Sequence, residues 1–60
     1  MIKVKLFDYE HEKDLEKGMN EFLEKVSEDN LIDIKYNVAA LGEEETDQIY
    51  CFSAMVVYRK

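Results

Sequence analysis

Sixty residues, of which 47% are hydrophobic and none is proline, with a formal net charge of −6, specify one ordered domain over residues 1–60; they exclude a disordered tail and speak against non-specific nucleic-acid binding. A chain this short buries only about 60% of the surface that its unfolded form exposes, so its core needs a supplement. Cys51 has no second cysteine to bridge, and His11 and Cys51, the soft metal ligands, stand forty positions apart, so no disulfide, metal or cofactor is expected and association with a second copy is the remaining route.

The N-terminus, Met1-Ile-Lys-Val-Lys-Leu-Phe7, lacks the apolar run of a secretion signal, and no stretch approaches the ~20 apolar residues of a membrane span. A cytoplasmic location is expected, and a lone thiol agrees with a reducing compartment. Residues 2–7 alternate, with Ile2, Val4 and Leu6 on one side and Lys3, Lys5 and Phe7 on the other, the period of a half-buried strand.

From Glu10 to Val26 the spacing turns helical. Leu15, Met19, Phe22, Leu23 and Val26 form one apolar stripe, with His11 a turn before Leu15. Acids at positions 8, 10, 12 and 14 complement the positive end of the helix dipole. Gly18 lies inside the pattern, where it costs ~1 kcal/mol relative to alanine and lets a neighbour approach closely.

Ile32, Ile34, Tyr36 and Val38 then alternate with Asp33, Lys35 and Asn37 as a second strand, and Leu41–Gln48 is a solvated connection. The closing segment Ile49–Tyr58 is apolar on both parities. A strand covered on both faces belongs in the middle of its sheet. The expected fold is therefore α+β: a split β-α-β-β unit whose three-stranded sheet has the order 1-3-2, with one helix packed on one face.

One helix covers one side of such a sheet, which leaves a face of opposite parity. That face is expected to carry Phe7, Cys51, Ser53, Met55 and Val57 as a homodimer interface, with Lys5, Lys35 and Arg59 among its basic groups. The acids Glu43, Glu44, Glu45 and Asp47 in the connection, together with the acidic helix, suit a basic protein partner. A competing reading makes the lysines and Arg59 a pocket for a nucleotide signal, although no glycine-rich phosphate loop accompanies them. Catalysis is not expected: His11 suits a surface or edge position, and Cys51 reads as an inert thiol on the most buried strand.

The segments His11-Glu-Lys-Asp-Leu-Glu-Lys17, Asn20-Glu-Phe-Leu23, Ile32-Asp-Ile-Lys-Tyr36 and Ser53-Ala-Met-Val-Val-Tyr58 resemble, in the same order, those of a family of short proteins of Bacillus species and their phages, named after a sixty-residue sporulation protein of the mother cell. That resemblance spans nearly the whole chain and implies a sporulation-associated structural or regulatory role. The same layout is also similar to a small phage protein that counters the Hachiman defence system, which implies a non-enzymatic inhibitor, of phage or prophage origin, that blocks a host immune protein by direct contact. The expected partners are a second copy of the chain and a host protein, with neither membrane nor direct nucleic-acid binding.

Overall fold

The computed structural model describes residues 1–41 and 49–60. Its elements run β1 (Ile2–Tyr9), α1 (Glu12–Leu23), a 3-10 turn (Glu28–Asn30), β2 (Leu31–Leu41) and β3 (Ile49–Arg59). The three strands form one antiparallel sheet of order β1-β3-β2, so the strand apolar on both parities is the central one. This is the split β-α-β-β arrangement that the patterning predicts.

β1 starts at Ile2, as the alternation implies, and runs two residues further at its C-terminal end, because β3 continues to offer backbone partners as far as Tyr9↔Phe52. The pairing extends to the termini, where Lys60 N–H donates to the Met1 carbonyl at 2.8 Å and the Met1 ammonium donates to the Lys60 carbonyl at 3.0 Å. The helix, by contrast, is shorter than its apolar stripe. His11 is its N-cap, in an extended conformation with no side-chain capping bond, and it stands exposed rather than on the stripe. At the other end Lys25 N–H bonds Phe22 O and Val26 N–H bonds Leu23 O, a tightening of the last turn that satisfies carbonyls the helix leaves free. Val26 is half-buried beyond the last helical residue.

The core is small. Phe7, Leu15, Ala54 and Val56 are buried, and Met19, Phe22, Leu23, Phe52 and Tyr58 pack partly around them. Phe22 joins the layers edge-on, with ring centroids 5.9 Å from Phe7 and 5.2 Å from Tyr58, a preferred aromatic geometry. Small Ala54 sits opposite Phe7 in the ladder, which leaves room for the ring beneath α1. The helix lies over β1 and β3, and the row Ile34, Tyr36 and Val38 on β2 stays exposed beside it.

Candidate functional site

Register assigns each strand residue to a face. Val56 is fully buried under α1, and its ladder partners are Lys5 and Ile34; partners directly across an antiparallel ladder share a side of the sheet. Phe7, paired with Ala54, therefore faces the helix, as do Lys3 and Lys5. The opposite face carries Ile2, Val4, Leu6 and Asp8 from β1, Cys51, Ser53, Met55, Val57 and Arg59 from β3, and Asp33, Lys35, Asn37 and Ala39 from β2.

Two sequence expectations are thereby corrected. Phe7 is a core residue, 8% exposed, and not part of the uncovered face. Lys5 also lies on the helix side, its Nζ 5.8 Å from the centroid of the Phe7 ring. The physical reason is the position of β1 at the sheet edge. There a lysine on the covered side can run its stem along the apolar layer and still reach water with its ammonium, so the presence of Lys3 and Lys5 does not force that parity outward. The residues displaced onto the open side are Ile2, Val4 and Leu6, exposed by 65%, 54% and 69%. Sequence reasoning missed them as surface residues. The one available signal was aromatic: Phe7 and Tyr9 share a parity, and α1 offers them Phe22 and the gap at Gly18.

Cys51, Ser53, Met55 and Val57 do lie on the uncovered face, each half-buried. A shallow depression of about 390 Å³ opens among Leu6, Asp8, Lys35, Cys51 and Met55. Within it the Cys51 thiol donates to Asp8 Oδ1 at 2.8 Å. That bond to a carboxylate, with partial burial and the negative charges of Asp8 and Glu10, raises the thiol above its ordinary range. The protonated form is favoured, the reverse of what a nucleophile needs. Ser53 Oγ donates to the Asn37 carbonyl at 3.4 Å.

The basic groups do not converge. Lys5 is on the far side of the sheet from Lys35 and Arg59. Those two stand at ladder positions four residues apart along β3, about 13 Å at a strand's rise, and Lys35 is paired with Asp33 at 3.4 Å. A phosphate requires convergent donors, so the cation cluster on which the nucleotide reading depends is not assembled. Among the described residues no three His, Cys, Asp or Glu side chains are grouped to hold a metal ion, and no helix is long and apolar enough to cross a membrane. The acids Glu43, Glu44, Glu45 and Asp47 lie outside the described residues.

On the helix side, a groove of about 380 Å³ runs between α1 and β2, lined by Leu15, Met19, Leu23 and Tyr36 together with Glu12, Lys13 and Glu16, of which Lys13 and Glu16 are paired at 3.9 Å.

Compared with known proteins, residues 1–60 match the family model described as sporulation protein Cse60. The chain belongs to the Cse60 family. Sporulation protein cse60 of Bacillus subtilis (strain 168) is 55% identical to it over 60 residues, covering 100% of both chains. No solved structure matches. Membership of the Cse60 family is the first of the two resemblances carried by the helix and strand segments; the comparisons name sporulation and do not name a role against host defence.

Proposed function

We propose that this member of the Cse60 family is a sporulation-associated structural or regulatory protein of the cytoplasm, homodimeric and non-enzymatic, that acts by holding another protein. The observation that carries this reading is the amount of apolar surface left uncovered on both sides of the sheet: Ile2, Val4 and Leu6 on one, Ile34, Tyr36 and Val38 on the other. Large exposed apolar patches rimmed by polar groups mark protein contacts. The groove beside α1 gives the partner's chemistry. Its apolar walls suit an apolar segment; Glu12, the carboxylate that Lys13 leaves over when it pairs with Glu16, and the net charge of −6 favour encounter with a basic partner.

Blocking of a host immune protein would use the same surface, but no observation favours that target over a sporulation component. The test follows the protein through sporulation of its host. Accumulation in sporulating but not vegetative cells is expected, with a cross-linked partner retained by the wild-type chain and lost from Tyr36→Asp. Equal abundance in vegetative cells overturns the sporulation role, and a partner indifferent to Tyr36→Asp overturns the groove.

A further inference from the structure

We infer that the uncovered sheet face docks onto the same face of a second copy, giving a two-sheet sandwich with both helices outward. The inference rests on the homodimer of the preceding section and adds which surface makes it.

Four observations support this face. Apolar side chains dominate it, with Ile2, Val4 and Leu6 on β1 more than half exposed and Met55 and Val57 beside them on the central strand. Charge comes second. Each copy carries −6 overall, and two helix sides would bring carboxylates against carboxylates. On the open face Asp8 and Asp33 are balanced by Lys35 and Arg59, so it meets its own image without net repulsion.

Area is the third consideration. The molecule measures 44 × 18 × 11 Å, so the rectangle bounding its broad face is roughly 800 Å², which reaches the area each partner contributes to a stable interface when the sheet is covered along its whole length. Fourth, the alternative of joining sheets edge to edge along β2 is impeded. Asp33 Oδ1 accepts from the Ile34 N–H at 2.8 Å, taking up a donor that an added strand would need, and the register shifts between Leu31 and Asp33. Side chains that cap edge donors and bulges that twist an edge both discourage strand addition.

Two twisted sheets stacked face to face keep their strands within about 30° of each other, so the middle of the central strand lies near the two-fold axis. Met55, between Leu6 and Lys35, holds that place. The grooves beside α1 then face away from each other, and the dimer presents two equivalent sites to its partner.

Light scattering on the wild-type chain is expected to return twice the 7.1 kDa mass, and Leu6→Asp a folded monomer. A cysteine scan in the Cys51→Ser background keeps the test independent of that variant's folding. Under mild oxidation Met55→Cys is expected to form a disulfide-linked dimer and Tyr36→Cys, on the other face, to remain unlinked. A dimer linked through Tyr36→Cys but not Met55→Cys overturns the face assignment and leaves the homodimer standing. A monomer at micromolar concentration overturns both.

Discussion

The Tyr9 ring crosses α1 at Gly18 so closely that a methyl group on the glycine would stand 2.7 Å from the tyrosine oxygen and 3.2 Å from Cζ. The glycine thus trades helix propensity for a contact between β1 and α1. Gly18→Ala alone is expected to change stability little, because the gain of ~1 kcal/mol in propensity is offset by displacement of the ring. In a Tyr9→Ala background the same substitution should stabilise by about 1 kcal/mol. Chemical denaturation of the four-member cycle measures the coupling, and strictly additive effects would show that the contact is immaterial.

Neighbouring residues on β1 should respond in opposite ways. Phe7→Ala removes a buried ring and is expected to cost roughly 3–5 kcal/mol, a large part of the stability of a domain this size, which at 0.05–0.15 kcal/mol per residue is about 3–9 kcal/mol. Leu6→Ala, measured by thermal melting at concentrations where the chain is monomeric, should stay within about 0.5 kcal/mol of wild type. The reverse ranking would restore the parity that the alternation of residues 2–7 suggests and remove the open apolar face.

The thiol of Cys51 offers a test by pH. Its hydrogen bond to Asp8, with partial burial and nearby negative charge, favours the protonated form in the folded chain. For an acid whose folded value is raised, the folded state retains the proton longer than the unfolded state, so the contribution to stability is present below the ordinary thiol range and is lost as pH rises from that range through the raised folded value. Wild type should therefore lose stability on going from neutral to alkaline pH by more than Cys51→Ser does. In parallel, Asp8→Asn should shift the pH profile of thiol alkylation to lower pH. An unchanged profile would mean that the bond is not formed in solution.

Salt separates apolar from ionic association. Because the docking face balances its charges while each copy bears −6, added salt should tighten the dimer by screening overall repulsion. Sedimentation at low and high ionic strength should show a fall in the dissociation constant, and the melting temperature should rise with protein concentration. Weakening by salt would point instead to cross-copy ion pairs at Lys35 or Arg59.

Much of this architecture was legible in the chain itself. The dual apolar parity of residues 49–58 placed that strand centrally, and the three-and-four spacing from Leu15 to Leu23 gave the helix and its buried side. What misled was β1, where two alternating rows were both plausible cores: three aliphatics against two lysines and a phenylalanine. Average hydrophobicity favoured the aliphatics, whereas the fold chose the row whose aromatic ring fits over Ala54 and against Phe22. Helix ends were blurred for a related reason, since His11 and Val26 continue the apolar rhythm without continuing the backbone bonds.

Composition and periodicity thus determined the elements, the strand order and the shortage of core, because these depend on local spacing and on how much apolar surface sixty residues can hide. Which side of the edge strand meets the helix, and so which residues stand bare on the other side, was decided only by tertiary packing. A period of two names a pair of faces but not the one that is covered; a single steric fit, Phe7 over Ala54 beneath α1, makes that choice for every residue of the strand at once.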